Sequence, residues 1–231
     1  MGSSSDESES KDGSDQSDND IQLETTWIEW YCSLNGNQFY VQVDEDYIRD
    51  DFNLIDIPNQ VPYYSRALSI ILDCGDEDDY MSDDNSKENQ QILQSSTQLL
   101  YGLIHCRYIL TNKGMQAMLE KYENHTFGNC PNYSCENMPG LPIGVVDAPS
   151  YHTAKIFCPR CNEAYHPPKQ NKLCLIDGAF FGTTFAHLFL MQHQSLISRG
   201  PTYYYVPKIH GFKVSSEVRK QLAAEEKHND M

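Results

Sequence analysis

The stretch CPNYSCENMPGLPIGVVDAPSYHTAKIFCPRC, residues 130–161, carries two close cysteine pairs. Four residues separate Cys130 from Cys135, two separate Cys158 from Cys161, and 22 lie between the pairs. A tetrahedral four-thiolate zinc site asks for this pattern. Each pair supplies two sulfurs from a tight turn, and the stretch between them folds back to bring the turns together. Pro131 and Pro159 follow the first cysteine of each pair and help to fix both turns. Four sulfurs close the coordination shell and leave no position for water, so the implied Zn2+, one per chain, is structural. Metal-coupled folding of this kind contributes on the order of 10 kcal/mol in small modules. Disulfides and unligated packed cysteines are the competing readings. Of the remaining cysteines, Cys32 and Cys106 fall in helical stretches as small packing residues, and Cys174 is the alternative ligand nearest the pairs. Cys74, like these three, lacks a partner at ligand spacing.

Around these pairs the texture is that of a small β unit. From Phe127 onward Gly and Pro recur (Gly128, Pro131, Pro139, Gly140, Pro142, Gly144, Pro149, Pro159, Pro167, Pro168), with short extended pieces such as Lys155-Ile156-Phe157 between them. So thin a core calls for a staple. Further on, Tyr203–Val214 reads as extended chain with a turn at Gly211, and residues 215–231 as a frayed or disordered tail.

Upstream, residues 25–125 read as helical. Trp27, Trp30, Tyr31 and Leu34 fall on one face of a helix over Thr25–Leu34, with Thr25 or Thr26 as its cap and Asn35-Gly36-Asn37 as its stop. Phe39–Val43 is short and extended. Helices are expected over Asp44–Phe52, over Val61–Leu72 with Pro62 in the first turn, and over Asn89–Leu110. Asn112-Lys113-Gly114 punctuates the last of these before a fifth helix over Met115–Lys121.

The 231 residues hold 33 acidic and 17 basic side chains, a net charge of −16. Residues 1–20 carry −6 and residues 73–88 carry −7, leaving only −3 for the rest of the chain. The first of these segments has a single apolar residue and is expected to be disordered. The second reads as an acidic loop between helices. Beyond a solvated charge run, it suits cations such as polyamines or basic proteins, with Asp76, Glu77, Asp78 and Asp79 as the candidate ligands. Ser3 and Ser4 each have an acid three residues on, Asp6 and Glu7, which suits phosphorylation by an acidophilic kinase.

The acidic balance argues against direct nucleic-acid binding and against an anionic membrane surface. A zinc-bearing nucleic-acid adaptor would need a basic face near 130–165, where only Lys155 and Arg160 occur. No basic, apolar leader opens the sequence and no long uninterrupted apolar run crosses it, so nucleus and cytoplasm are the expected compartments. Phosphate-cradling, nucleophile-elbow and zinc-hydrolase motifs are absent, and His152 and His166 near the cysteines read as surface residues. With a closed metal site, this favours a non-enzyme.

Several longer motifs, WIEWYCSLNGNQFY (27–40), VDEDYIRDDFNL (43–54), LLYGLIHCRYILTNKG (99–114), CPNYSCEN (130–137), LPIG (141–144), CPRC (158–161), DGAFFGTTFAH (177–187) and VPKIHGFK (206–213), closely resemble the regulatory beta subunits of casein kinase II. The likeness runs in order through residues 25–214. It implies an α+β fold: an N-terminal all-helical domain (25–125, with the acidic loop at 73–88), then a small zinc-ribbon β domain for dimerisation (126–200), then an extended docking segment (201–214). The tails would be 1–24 and 215–231. The resemblance implies no catalysis by the chain itself, a homodimer, and docking of two catalytic alpha subunits to give an α2β2 kinase whose activity and substrate choice the subunit modulates. By the same likeness Cys130, Cys135, Cys158 and Cys161 are zinc ligands, and the acidic loop answers to polyamines. The Ser3–Ser5 cluster takes autophosphorylation. Phe212 is the deeper kinase anchor, His210 stands where a tyrosine is common, and Ile209 and Leu188 support them. The family's proposed destruction-box arginine is out of register here, with Ser65 in its place and Arg66 one later, so that role does not carry over.

Overall fold

The computed structural model describes residues 25–74, 87–197, 206, 208–213, 215 and 217. Ser3, Ser4, Asp76, Glu77, Asp78 and Asp79 lie outside the described residues. Five helices come first: α1 (Trp27–Ser33), α2 (Glu45–Ile48), α3 (Tyr64–Ile71), α4 (Lys87–Tyr108) and α5 (Asn112–Glu123). A three-stranded antiparallel sheet follows, β1 (Leu141–Ile143), β2 (Lys155–Phe157) and β3 (Ala164–Tyr165), with β2 in the centre. After it come α6 (Phe185–Gln192) and a separate hairpin of β4 (Lys208–Ile209) and β5 (Phe212–Lys213). The class is α+β, as the sequence suggests. Among the described residues, no helix is long and apolar enough to cross a membrane.

Thr26 caps α1 in a capping box: its hydroxyl accepts from the Glu29 N–H at 3.3 Å, and the Glu29 carboxylate accepts from the Thr26 N–H at 3.4 Å. The buried face of α1 is Ile28 and Tyr31, with Trp27 packed against the core. Trp30 and Leu34, expected on that face, are exposed: the buried side of the helix runs through Ile28 and Tyr31, and Leu34 follows the helix as its extended C-cap. The expected second helix is broken: α2 ends at Ile48, and the Asp50 carboxylate accepts from the Phe52 N–H to start a 3-10 turn, Asp51–Leu54. Likewise Asn112-Lys113-Gly114 opens α5 rather than ending α4, since the Thr111 hydroxyl accepts from the Gly114 N–H at 3.1 Å.

Of residues 39–43, expected to be extended, Phe39 and Tyr40 close a turn in which the Tyr40 N–H donates to the Asn37 carbonyl, and Val41 and Val43 are buried on either side of exposed Gln42, in no sheet. Buried backbone groups need partners, and α4 provides them from two side chains one turn apart. The Tyr101 hydroxyl donates to the Val41 carbonyl at 2.8 Å and accepts from the Val43 N–H at 3.3 Å. His105 Nε2 accepts from the Val41 N–H at 3.1 Å, and its Nδ1 faces the Phe180 carbonyl at 2.8 Å, which fixes the neutral tautomer with the proton on Nδ1. Trp27, Tyr31 and Tyr40 pack round the Tyr101 ring with centroids 5.3–6.0 Å away.

Helix α6 carries no ordinary start signal: Thr184 makes no capping bond. Asp147, distant in sequence, accepts instead from the Thr183 N–H at 2.8 Å and the Thr183 hydroxyl at 3.1 Å. Phe185, Ala186, Phe189 and Leu190 then bury one face of α6, which packs on β1. These residues, together with Leu141, Ile156 and Phe157 of the sheet, share one core with the helices. The four paired cysteines form a second, separate cluster.

Candidate metal centre and docking hairpin

Both cysteine turns are local constructions. In the first, the Asn132 side chain accepts from the Ser134 N–H, giving a 3-10 turn Tyr133–Cys135, and Glu136 and Asn137 then take left-handed φ values of 52° and 58° that reverse the chain. The Cys130 N–H donates to the Met138 carbonyl at 2.8 Å and closes the loop. In the second turn, the Asn162 N–H donates to the Cys158 carbonyl at 2.9 Å, Asn162 takes φ 55°, and the Cys158 N–H donates to the Glu163 carbonyl at 3.0 Å. That turn is the connection between β2 and β3, whose register pairs Phe157 with Ala164 and Ile156 with Tyr165. Strand β1 pairs with β2 on its other side, Leu141 opposite Phe157. The Asn129–Pro139 bridge and the sheet therefore deliver both turns to one end of the unit.

There, the sulfurs of Cys130, Cys135, Cys158 and Cys161 all lie within 4.8 Å of one another, and all four residues are buried. The Cys130 and Cys161 sulfurs are 3.9 Å apart. Ligand sulfurs about 2.3 Å from a tetrahedral Zn2+ would stand about 3.8 Å apart, so the spacing fits the ion; it is far above the roughly 2.05 Å of a disulfide. An all-sulfur donor set also suits a borderline-soft cation over Mg2+ or Ca2+. Cys174, the alternative ligand, sits instead in the 3-10 turn Lys172–Leu175, outside the quartet. His152 and His166 are exposed.

The thiols of the quartet are shifted in opposite directions. Burial, followed by the crowding of neighbouring sulfurs, pushes the Cys135 thiol up to about 11 and raises Cys130 as well. At Cys161 burial acts upward too, but hydrogen bonds from the Tyr165 hydroxyl and the Glu163 N–H outweigh it and leave this thiol below its ordinary value. The Tyr165 hydroxyl is 3.4 Å from the Cys161 sulfur, and the Asn132 N–H donates to the Cys130 sulfur at 3.4 Å. A divalent cation would displace the remaining protons and balance the sulfur charge. Arg160 joins the two turns, donating from Nη1 to the Cys135 carbonyl at 3.1 Å and to the Glu136 carboxylate at 3.0 Å. Neither Arg160 nor Tyr165 is marked by cysteine spacing; only their places inside and just beyond the second turn hint at these contacts.

The second candidate feature is the β4–β5 hairpin. His210 and Gly211, with φ values of 49° and 88°, form a two-residue turn whose left-handed conformations match the twist of paired strands. Ile209 lies opposite Phe212, 64% and 80% exposed. The fold thus holds two large apolar side chains in solvent rather than hiding them, and flanks them with Lys208 opposite Lys213. Leu188 is also exposed, on α6. The structure brings Ile209, His210 and Phe212 together in the hairpin, whose strand pairing is its own.

The family model for the casein kinase II regulatory subunit matches residues 26–213. The casein kinase II subunit beta of Dictyostelium discoideum is 46% identical over 219 residues, covering 94% of this chain and 80% of that one. Subunit beta-3 of Arabidopsis thaliana is 51% identical over 191 residues, 83% of this chain and 68% of that one. The subunit beta of Schizosaccharomyces pombe is 42% identical over 204 residues, 87% and 85% of the two chains. The chain belongs to the casein kinase II regulatory subunit family and is a regulatory subunit, not a catalytic kinase.

Proposed function

We propose that this chain is the zinc-bound, dimeric scaffold of an α2β2 casein kinase II. Two copies join through the zinc-ribbon unit, residues 126–200, and each offers its C-terminal segment, residues 201–214, to a catalytic alpha subunit. In this reading Cys130, Cys135, Cys158 and Cys161 hold one structural Zn2+ per chain. Phe212 is the principal kinase anchor, and Ile209, His210 and Leu188 support it. The assembled subunit stabilises the kinase and modulates its activity and substrate choice, in nucleus and cytoplasm. Asp76, Glu77, Asp78 and Asp79 receive polyamines or basic protein substrates, and Ser3 and Ser4 take phosphate.

The observation that carries this reading is the buried four-sulfur cluster at the tip of a small sheet. The ion would cross-link two turns against which, among the described residues, Met138 and Tyr165 are the apolar side chains that pack, and a rigid surface can then repeat by two-fold symmetry. We predict that Cys158→Ser binds less than one equivalent of zinc and sediments as a monomer, and that it no longer co-purifies stoichiometrically with the catalytic subunit. A metal-free variant that still sediments as a dimer would remove the ion from the assembly.

A further inference from the structure

Away from the metal centre and the hairpin, a cleft of about 180 Å³ lies between α1, α3 and α4. Trp27, Trp30 and Tyr31 of α1, Ile70 of α3 and Leu93 of α4 supply its apolar lining. Trp27 stacks on Tyr31 at 4.7 Å and meets Trp30 at 6.3 Å and 58°, which leaves Trp30 46% exposed. Gln94 and Gln98 stand one turn apart on α4 at the same cleft. Their amides can both donate and accept, and neighbours at this spacing are about 6 Å apart, close to the two-residue repeat of an extended peptide. The cleft therefore suits a short extended segment with apolar side chains at alternate positions.

The chain contains such a segment just ahead of α1 in sequence. The described structure begins at Thr25, two residues before Trp27, and Thr26 is extended, with ψ 156°. In residues 1–24 the apolar side chains are Met1, Ile21 and Leu23, so two of the three fall within the last four positions, in the sequence IQLE (21–24). A stretch otherwise made of Ser, Asp, Glu and other polar residues has little reason to place Ile and Leu at alternate positions there unless they are buried. Leu23 lies four residues from Trp27, within about 14 Å even for a fully extended chain.

We propose that Ile21 and Leu23 dock in cis into the α1–α3–α4 cleft, making it a receptor for an extended apolar–polar–apolar peptide that the chain itself supplies. Docking fixes where the acidic, serine-bearing residues 1–20 leave the folded body. The proposal does not rest on the metal centre or the kinase reading.

The test needs no added label, because the chain's two tryptophans are Trp27 and Trp30, both lining this cleft. In the full chain, the double variant Ile21→Ser/Leu23→Ser is expected to shift tryptophan emission to longer wavelength and to raise its quenching by acrylamide, with the helical circular dichroism unchanged. A short tether gives an effective concentration on the order of millimolar, so a peptide of residues 18–26 at about that concentration should reverse the shift, and the same peptide with both serines should not. Unchanged emission and quenching in the variant would overturn the proposal. So would a wild-type signal that reverts to the variant's on dilution through the dimer–monomer range, because the occupant would then be a second copy.

Discussion

His105 shows how one residue can be structural despite its chemistry. It is fully buried, and burial lowers its pKa from 6.5 to about 4, against a smaller upward pull from the Phe180 carbonyl. An unfolded chain would take up a proton near 6.5 that the folded chain refuses until about 4, so stability is greatest above the upper value and falls as pH drops through this window. The loss is on the order of 3 kcal/mol once complete. We predict that the urea midpoint falls between pH 7 and pH 5, and that His105→Gln, uncharged throughout, shows a shallower fall. Equal slopes would mean that other groups set the acid response. Gly102 answers to space rather than charge. A Cβ there would sit 2.4–2.6 Å from three Phe180 ring atoms. Helix propensity favours Gly102→Ala by about 1 kcal/mol, but overpacking costs about 1–3 kcal/mol. The variant should lower the melting temperature, whereas in a Phe180→Ala background, which lacks all three crowding atoms, Gly102→Ala should be neutral or stabilising.

At the scale of elements, the hairpin and α6 illustrate opposite relations to the sequence. The hairpin is local: His210-Gly211 sets the turn and so places Ile209 opposite Phe212. Ile209 and Phe212 thus form a paired, exposed apolar patch of the kind that marks an interaction surface. Phe212→Ala is therefore expected to weaken binding of the catalytic alpha subunit by about 2 kcal/mol or more, roughly thirtyfold in Kd, in calorimetry, with the dimer unchanged in sedimentation. Unaltered affinity would remove Phe212 from the docking surface. By contrast α6 depends on the distant carboxylate of Asp147 at its start and on β1 beneath it, and its largely apolar run from Phe185, broken by His187, gives no clear periodic sign of a helix.

For the whole molecule, the separation of the cysteine cluster from the main core has a consequence for metal loss. The helices and α6 are held by Phe127, Phe181, Phe185 and Phe189, none of which touches the quartet's cluster. Chelation should accordingly open the tip formed by the two cysteine turns, residues 130–138 and 158–163, while the helices and the core side chains of the sheet persist. The expected readout is retained far-ultraviolet helical signal together with new proteolytic cleavage within the two cysteine turns. Helical signal lost in the same step as zinc would show that the tip and the body fold as one unit.

The cysteine spacing, the Gly- and Pro-rich texture after Phe127, and the helical stretches before it were legible because each follows from local rules: ligand spacing within a turn, forced backbone angles, and periodic burial. The break after α2 and the start of α5 were misread because one side chain, Asp50 or Thr111, decides whether a turn stops or begins a helix. Sequence alone therefore determined that four sulfurs could meet at one ion and that the chain falls into helical and β parts. Only the tertiary structure decided that Trp30 lines a cleft instead of joining the helical core, that His105 is locked between Val41 and Phe180, and that Arg160 clasps the first cysteine turn. Those outcomes depend on groups far apart along the chain, whose desolvation and hydrogen bonding exist only once the core has brought them together.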